Sequence, residues 1–397
     1  MDRPQRQGIL ERQSRHGGGA RPRSSRHWVP AQAGDPVAEI DTPALLLDLD
    51  VFEGNLQRLA AALAPTGVRL RPHAKTHKCA EIARRQVAAG AIGMCCQKLG
   101  EAEAMLEGGI TDVLITNEIV GPVKLRRLAR LAWAHAPAVV GVCVDSVDGA
   151  LQLAAACRAE QSQVDAYVEV DVGQNRCGVS DPEEVVAIAR ALHEAPSVRY
   201  RGLHAYAGMA QHRRGVPERR SSAANAALRA AQAREAVIES GLPCDIVTGG
   251  GTGTFVYEAR SGVYNEVQPG SYVFMDADYA RNEQDGSAPR FESALFLLST
   301  VMSVQGERAV LDAGLKAFST DLGPPHPTFA GWQVRSVSDE HTVLLRTDSE
   351  STLRLGDKAL LIPGHCDPTV NLHDWIVAAR GGVVEAVWPI EARGRMY

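Results

Sequence analysis

From about residue 44 to residue 273, short apolar runs alternate with segments of helical periodicity, and this alternation constrains the fold more than any other feature. After a first run at Ala44–Leu47, the runs predicted as strands are Val68–Lys75, Ala91–Cys96, Asp112–Thr116, Val139–Val144, Ala166–Val172, Tyr200–Tyr206, Asp245–Thr248 and Glu266–Val273. Helices such as Val123–Ala134 and Arg220–Ser240 are predicted between them. Eight strand–helix units of this size predict a (β/α)8 barrel, with a doubly wound open sheet as the competing topology.

The helical pattern stops near Phe291, and residues 291–397 are predicted to contain strands only. These strands are Leu295–Val304, Arg308–Leu311, Thr342–Leu345, Lys358–Ile362 and Trp375–Ala379. Gly381 and Gly382 stand between two apolar runs, as in a hairpin turn. The change from α/β to all-β composition predicts a smaller C-terminal β domain over residues 291–397.

Residues 1–34 precede the regular pattern and are interpreted as a flexible extension. Seven arginines stand against Asp2 and Glu11, with almost no apolar periodicity, so the segment has too little apolar surface to fold alone. The apolar centre of a secretory signal is missing, and an arginine-rich transit peptide is the alternative interpretation.

Composition excludes several classes of function. The net charge of -5 argues against nucleic acid or an anionic membrane as the main partner. No apolar run approaches the roughly 18 residues that a membrane span needs. Eight cysteines are scattered along the chain, apart from the adjacent Cys95 and Cys96. Reduced thiols in a cytoplasmic protein are therefore expected.

Lys75 is the candidate nucleophile of the chain. It closes the run Val68–Lys75, and in a strand it would share one face with Arg69, Arg71 and His73. Desolvation and neighbouring positive charge lower the pKa of a lysine amine, so that more of it is unprotonated at neutral pH. The alternative is a solvated basic strand end.

A glycine cluster follows the seventh barrel strand and is a candidate phosphate site. Thr248 ends the strand, and Gly249–Gly253 follow, with Gly250, Gly251 and Thr252 at the centre. Exposed N–H groups in such a loop surround an anion, and α/β barrels commonly bind phosphate at this position. The cluster matches neither a Rossmann fingerprint nor a Walker A loop. A merely tight turn is the alternative.

Two further segments lie at predicted strand ends. Arg176 stands in the segment Asp171–Gly178 after the fifth strand, where it could meet a planar anionic group; a surface arginine on a turn is the alternative. Tyr206 ends the sixth strand and is a candidate to stack on, or hydrogen-bond to, a cofactor. His212 lies just beyond and is a candidate acid or base. The alternative for both Tyr206 and His212 is a residue at the barrel rim whose polar groups are hydrogen-bonded within the protein and which has no role in the reaction.

The last cluster of candidate functional residues is Pro363–Pro368. His365 and Asp367 are two residues apart, so in an extended segment they point the same way and can share a divalent ion. One imidazole and one carboxylate suit Mn²⁺ or Mg²⁺ better than a structural zinc. Cys366 would face the opposite way.

Taken together, these residues give the chain a resemblance to the D-threonine aldolase family, with the related 3-hydroxy-D-aspartate aldolases and D-serine dehydratases. The resemblance covers roughly residues 38–397. The matching stretches are Asp41–Pro43, Arg71–Lys75, Cys95–Lys98, Thr116–Glu118, Asp171–Gly178, Gly249–Gly253, Gly270–Tyr272, Met275–Asp276, Asp339–His341 and His365–Thr369. Because these ordered matches are spread over both predicted domains, the resemblance is specific.

The resemblance implies an alanine-racemase-like barrel that binds pyridoxal 5′-phosphate (PLP) over residues 49–290. Residues 35–48 would form a strand joining the C-terminal β domain, and the protein would be a homodimer. Lys75 matches the lysine that forms the Schiff base, and Arg176 matches the arginine near the phenolic oxygen of the cofactor. The glycine cluster matches the phosphate site, and His365 with Asp367 match the metal pair.

One position separates the activities within this family. The dehydratases carry a cysteine two residues after the metal histidine, where this chain has Asp367, the aldolase pattern. The expected reaction is therefore cleavage of a D-3-hydroxy amino acid to glycine and an aldehyde, with His212 a candidate base. D-threonine and 3-hydroxy-D-aspartate are both candidate substrates, because Arg71, His73, His212 or a residue not identified from the sequence could hold a β-carboxylate. A dehydratase, a racemase of the same architecture and a non-enzymatic PLP carrier are the rival interpretations.

Overall fold

The computed structural model describes residues 28–397, so residues 1–27 of the predicted extension lie outside the described part of the chain. The chain divides into two compact units. The β unit contains the chain up to Asn55, Val273–Ala280 and Phe291–Arg393. The barrel unit contains Leu56–Tyr272, Arg281–Arg290 and Gly394–Tyr397. The chain thus leaves and re-enters the β unit.

The bounds of the regular elements are as follows. The strands are β1 (Ala44–Asp48), β2 (Arg69–Leu70), β3 (Met94–Cys96), β4 (Asp112–Glu118), β5 (Val139–Val144), β6 (Val164–Glu169), β7 (Val198–Ala205), β8 (Ile246–Gly249), β9 (Glu266–Val267), β10 (Leu295–Gln305), β11 (Arg308–Leu311), β12 (His326–Pro327), β13 (Trp332–Val337), β14 (Thr342–Arg346), β15 (Lys358–Ile362), β16 (Trp375–Arg380) and β17 (Val383–Pro389). The helices are α1 (Leu49–Leu63), α2 (Ala80–Ala88), α3 (Leu99–Glu107), α4 (Pro122–Ala134), α5 (Val147–Ala159), α6 (Pro182–His193), α7 (Val216–Glu239), α8 (Phe255–Arg260), α9 (Ala277–Ala280) and α10 (Cys366–Val370).

Strands β2 to β9 form one parallel sheet in the order β2-β9-β8-β7-β6-β5-β4-β3. A parallel bridge between His73 and Cys95 joins its two ends, so the sheet closes and confirms the predicted (β/α)8 barrel. Every residue of β6 is buried, because helices cover the outer face of a parallel barrel while side chains fill its interior. Burial on both faces explains why these strands appear in the sequence as continuous apolar runs.

The helices begin where the sequence supplies capping groups. Asp181 caps α6 by accepting a hydrogen bond from Glu183 N at 2.9 Å, with Pro182 at the first helical position. Ser146 caps α5 in the same way through Gly149 N. Within residues 28–397, no helix combines the length and the apolar character that crossing a bilayer requires.

The β unit is built around β1, which pairs antiparallel with β10 and parallel with β16. The predicted hairpin is confirmed: β16 and β17 pair antiparallel across Gly381 and Gly382, both at positive φ. Residues 28–34, predicted as the end of a flexible extension, contact this unit. Gly34 N donates to Val384 O at 2.8 Å, and Ala31 is 1% exposed in the core of the unit.

The segment leading to Lys75 differs from the extended strand that was expected. β2 contains Arg69 and Leu70 only, and Ala74–Thr76 form a 3₁₀ turn. Pro72 offers no N–H to continue the ladder. Strand alternation therefore does not place Lys75 on the same face as His73; the turn sets its position.

Candidate active site

The turn that carries Lys75 is held in place by His73. Lys75 N donates to His73 Nδ1 at 3.3 Å, so Nδ1 of the imidazole carries the lone pair. His73 Nε2 lies 3.0 Å from Thr116 Oγ1, and the Thr116 hydroxyl donates in turn to Cys96 O. These contacts assign His73 as a neutral imidazole protonated on Nε2. Burial, with the positive charges of Lys75 and His204, lowers the pKa of His73 well below its ordinary value.

Lys78, three residues beyond Lys75, has a structural role. Its ammonium group forms a buried ion pair with Glu101. The other oxygen of that carboxylate accepts hydrogen bonds from Gln97 N and Lys98 N at 2.6 and 3.2 Å, at the start of α3. Lys78 therefore anchors α3, which leaves Lys75, partly buried at the barrel rim, as the candidate nucleophile.

The glycine cluster forms a loop between β8 and α8, on the rim where all eight parallel strands end. Gly250 has φ +71°, a conformation that favours glycine. A Cβ on Gly251 would lie 2.6 Å from Gln211 Oε1, and one on Gly253 would lie 2.6 Å from Gln211 O. In the described part of the chain, the N–H groups of Gly251 and Thr252 have no protein acceptor. The loop is thus a concave set of amides, as a phosphate site requires.

Gln211 shapes this loop, and sequence reasoning did not identify it as a site residue. Its side chain is fully buried. Oε1 accepts from Gly253 N at 2.9 Å, while Nε2 donates to Thr254 Oγ1 at 2.7 Å and to Ala207 O at 3.2 Å. The only signal in the sequence was its place just after the sixth barrel strand.

A buried polar chain crosses the barrel below this loop. Thr248 Oγ1 donates to Glu266 Oε1 at 2.9 Å, and Arg71 Nε donates to the same oxygen at 2.9 Å. Arg71 Nη1 also donates to Asp112 Oδ1 at 2.5 Å. Burial disfavours the charge of Arg71, but the two carboxylates outweigh it and raise the pKa of the guanidinium. Arg71 is therefore committed to internal ion pairs and is not available to a substrate carboxylate.

His204 is a second rim histidine, with the opposite protonation to His73. Its Nδ1 bonds to the Glu169 carboxylate, and its Nε2 lies 3.1 Å from Gln268 Oε1. Gln268 Nε2 donates to Thr248 Oγ1 at 2.8 Å, which fixes Oε1 as the acceptor. Both nitrogens of His204 therefore donate. Burial works to lower the pKa of His204, but Glu169 outweighs it and raises that pKa.

The segment that carries Arg176 is folded by Asp171. Asp171 Oδ1 accepts from the N–H groups of Gly173, Gln174 and Asn175 at 2.8–3.0 Å. Gln174 Oε1 accepts from Gly208 N at 2.7 Å, which ties this segment to the 3₁₀ turn Gly208–His212. Arg176 lies in the first of these segments and His212 ends the second, whereas Tyr206 precedes the 3₁₀ turn by two residues. Arg176 and His212 are exposed, and Tyr206 is partly buried.

In the β unit, His365 has extended φ and ψ, whereas Asp367 lies in the first turn of the short helix α10. The extended segment predicted for this pair therefore ends at His365. Cys366 Sγ is buried and donates to Met275 O at 3.4 Å, so the thiol is not available as a ligand, as expected. Burial raises its pKa well above the ordinary value.

A buried carboxyl holds this turn from one side. Asp276 Oδ2 accepts from Cys366 N at 3.1 Å, and Oδ1 accepts from Tyr279 N at 2.9 Å. Burial raises the pKa of Asp276 to about 6. From a separate loop, Asp321 Oδ2 lies 2.8 Å from His365 Nδ1. Neither Asp276 nor Asp321 was identified as a site residue from the sequence.

The residues present fit the two groups that the sequence implies. An amine at the barrel rim and a loop of amides without protein acceptors suit the aldehyde and phosphate of PLP. One imidazole and one carboxylate suit a divalent ion with open positions. Among the described residues, two other groups of three possible metal ligands occur, Cys143 with Glu169 and His204, and Glu118 with Asp145 and Cys177. Both belong to the barrel unit, and neither includes His365 or Asp367.

Two family models match the chain. The alanine racemase N-terminal domain matches residues 47–278, and the serine dehydratase domain matches residues 294–379. The two matches correspond to the barrel and to the C-terminal strands.

Individual relatives match across both units. A D-threonine aldolase from Arthrobacter sp is 48% identical over 92% of this chain and 96% of its own length. A 3-hydroxy-D-aspartate aldolase from Paracoccus denitrificans is 44% identical over 93% of this chain and 96% of its own length. The crystal structure of a D-threonine aldolase from Filomicrobium marinum is 47% identical, with a TM-score of 0.90 over 93% of this chain and 100% of that chain.

Proposed function

Because the chain belongs to the family of D-threonine aldolases and 3-hydroxy-D-aspartate aldolases, we propose that it cleaves D-3-hydroxy amino acids to glycine and an aldehyde. In this proposal it is a carbon–carbon lyase that depends on PLP and on a divalent metal ion, Mn²⁺ or Mg²⁺. We also propose that it acts as a cytoplasmic homodimer.

The observation that carries the PLP assignment is the position of Lys75 and the glycine loop on one barrel rim. Lys75 follows β2, the loop follows β8, and the strands are parallel, so both lie at their carboxyl ends. Lys75 would hold the cofactor covalently, while Gly250, Gly251 and Thr252 would bind its phosphate and Thr248 would lie at the start of that loop. Arg176 and Tyr206 would contact its ring.

His365 and Asp367 would hold the metal ion. When bound, PLP supplies an electron sink for the electrons of the broken bond, and the ion supplies Lewis acidity toward the β-hydroxyl of the substrate. His212, exposed at the rim, would take the hydroxyl proton. Neutral His73 would keep the Lys75 turn in place through its two hydrogen bonds.

D-threonine is the substrate that the charges favour. A β-carboxylate needs a cationic partner, and the candidates were Arg71, His73 and His212. Arg71 is paired with Glu266 and Asp112, and His73 is neutral. Of these three residues, only His212 is left as a partner for a β-carboxylate, so a substrate with an uncharged side chain fits better. The second candidate is cleavage of 3-hydroxy-D-aspartate to glycine and glyoxylate, favoured by the 44% identity to an aldolase of that name.

The rival functions account less well for the residues at these positions. In the dehydratases of this family a cysteine stands two residues after the metal histidine, where this chain has Asp367. A racemase would need no metal, and a carrier protein would need no β unit with a metal pair.

The test is a product assay with PLP and Mn²⁺ on D-threonine and on both diastereomers of 3-hydroxy-D-aspartate. Glycine with acetaldehyde supports the first candidate, and glycine with glyoxylate supports the second. Oxaloacetate with ammonia would overturn aldol cleavage in favour of dehydration.

A further inference from the structure

The side chain of His365 is oriented by a carboxylate that comes from another loop. Asp321 Oδ2 lies 2.8 Å from His365 Nδ1, and the two residues are 44 positions apart in the chain. The Asp321 side chain is 48% exposed, and that of His365 is 23% exposed. A polar contact this exposed contributes little to stability, so its geometry is better explained by what it does to the imidazole.

This contact decides which nitrogen of His365 can bind a metal ion. An ionised carboxylate only accepts hydrogen bonds, so Nδ1 must carry the proton and donate it to Asp321. The lone pair of the neutral imidazole is then on Nε2. A metal ligand oriented by a carboxylate on its other nitrogen is the usual arrangement in protein metal sites.

Asp321 is itself fixed by a closed ring of hydrogen bonds. Ser319 Oγ donates to Asp321 Oδ1 at 2.7 Å, and Ser319 N donates to Thr369 Oγ1 at 3.1 Å. Thr369 Oγ1 donates to His365 O at 2.7 Å. The ring runs from the imidazole through Asp321, Ser319 and Thr369 back to the backbone of His365. Neither the imidazole of His365 nor its main chain can rotate without breaking one of these hydrogen bonds.

The same turn is held by backbone contacts on its other sides. Cys366 N donates to Asp276, and Ala277 N donates to Pro363 O at 3.0 Å. A Cβ on Gly364 would lie 2.1 Å from Gly323 O, so the loop that carries Asp321 packs directly against the turn. The approach of the two loops is thus built into the backbone.

We propose that Asp321 is a positioning residue that holds the His365 imidazole in the Nδ1–H tautomer and presents Nε2 to the divalent ion. This inference rests on the proposed function, because it takes His365 as a metal ligand. Ser319 and Thr369 support Asp321 in this role. The ion itself is bound by His365 and Asp367, and Asp321 acts only through His365.

The expected effects follow from the role of an outer carboxylate. Loss of such a partner costs about 10–100-fold in metal affinity. Asp321→Asn keeps the shape of the side chain but removes its charge and the requirement for the Nδ1–H tautomer. Ser319→Ala removes one support of Asp321 and is expected to have a smaller effect in the same direction.

The experiment measures Mn²⁺ binding to the PLP-loaded enzyme by calorimetric titration, with no substrate present. Variants Asp321→Asn, Ser319→Ala and His365→Ala are compared with Glu385→Gln, which removes an exposed carboxylate on β17 that is paired with Arg380. We expect His365→Ala to abolish measurable binding, Asp321→Asn to weaken it about 10–100-fold, and Glu385→Gln to leave it unchanged. Equal loss in Asp321→Asn and His365→Ala would make Asp321 a ligand and overturn the inference, as would unchanged affinity in Asp321→Asn.

A second measurement reads the tautomer directly. In metal-free enzyme labelled with ¹⁵N-histidine, the long-range ¹H–¹⁵N spectrum should contain an Nδ1–H signature that His365→Ala removes and Asp321→Asn converts to mixed tautomers. An Nε2–H signature for His365 in the unsubstituted enzyme would contradict the proposal. If His365→Ala leaves Mn²⁺ affinity unchanged, the metal assignment itself fails, whereas failure of Asp321→Asn alone leaves that assignment intact.

Discussion

The barrel unit and the β unit fix their candidate functional residues by different means. At the barrel rim, parallel strands deliver Lys75 and the glycine loop to one edge, and buried side chains such as Gln211 and His73 lock the loops. In the β unit, His365 and Asp367 occupy one short turn, whose orientation depends on a half-exposed carboxylate, Asp321. The candidate barrel site follows from topology, while the proposed metal pair depends on a local ring of hydrogen bonds.

The two units also differ in how strongly their polar groups are buried, and therefore in the energetic cost of substituting them. Ion pairs inside the barrel, such as Arg71 with Glu266, are buried, and removing one member of such a pair leaves a buried charge. The side chains of His365 and Asp321 are partly exposed, so substitutions of these two residues should change function more than stability. The predictions below test this distinction, from the largest expected effect to the smallest.

Lys75→Ala should abolish covalent attachment of PLP and lower kcat by at least about 10³-fold, because the amine is the proposed nucleophile. Absorbance of the bound cofactor and steady-state rates measure both effects. The matched control is the double variant Lys78→Met/Glu101→Gln, which removes the neighbouring lysine together with its buried partner and should keep the covalent cofactor. Covalent PLP in Lys75→Ala would refute the assignment.

His365→Ala and Asp367→Ala should each lower kcat by about 10²–10³-fold, because Lewis-acid assistance is worth several kcal/mol. The cofactor spectrum and the melting temperature should stay near those of the unsubstituted enzyme. Kinetics with Mn²⁺, together with the metal content of the purified protein, provide the measurement. Full activity in chelator-treated enzyme would remove the metal from the mechanism and break the comparison between the two units.

Glu258 should make the stability of the enzyme fall as the pH rises. Burial beneath the glycine loop raises its pKa to about 7 from the ordinary 4.5. The folded state therefore binds the proton more tightly than the unfolded state. Its contribution to the free energy of unfolding is fully present below pH 4.5 and is lost as the pH rises through about 7, a change of about 3 kcal/mol.

Glu258→Gln keeps an acceptor for Thr254 Oγ1, 2.7 Å from Glu258 Oε1, and removes the titration. Relative to the unsubstituted enzyme, the variant should gain about 3 kcal/mol between pH 4.5 and pH 8, whatever its offset at low pH. Chemical denaturation at several pH values provides the measurement, and the exposed Glu385→Gln is the control. Parallel pH profiles for Glu258→Gln and the unsubstituted enzyme would contradict this prediction.

Gly251→Ala should weaken PLP binding with little effect on the rest of the barrel. The added Cβ would meet Gln211 Oε1 at 2.6 Å, and overpacking of this kind costs about 1–3 kcal/mol, or roughly 5–150-fold in the dissociation constant. Gly286→Ala is the control, because its Cβ would meet nothing within 4 Å. Cofactor titration monitored by absorbance measures the change, and equal affinities for the two variants would show that the loop is not a tight cradle.

Strand prediction succeeded where burial is two-sided and failed where it is not. β6 and β15 were found because their residues form continuous apolar runs. β13, Trp332–Val337, was missed because most of its residues are partly or fully exposed and its register shifts between Val334 and Ser336. The strand predicted to reach Lys75 was wrong because the apolar run continues into a 3₁₀ turn, which periodicity does not distinguish.

Candidate site residues could be proposed from the sequence when their chemical type was itself the signal. A lysine at a strand end, glycines after a strand and a His-x-Asp pair each indicate a reaction or a ligand by residue type and spacing. Gln211, His204, Gln268 and Asp321 were not predictable in this way, because the partners that define their roles (Gly253, Glu169 with Gln268, His204 and His365, respectively) lie 35 to 64 positions away in the chain. An amide or carboxylate without a known partner has no assignable role.

The sequence alone determined the barrel, the additional β domain and the chemistry, because apolar periodicity and reactive residue types are local properties of the chain. Only the tertiary structure decided which lysine forms a buried ion pair, which histidine is neutral and which nitrogen of His365 faces Asp321. Protonation and orientation depend on distance to partners and on the exclusion of water. Both are set by contacts between segments that the sequence leaves far apart.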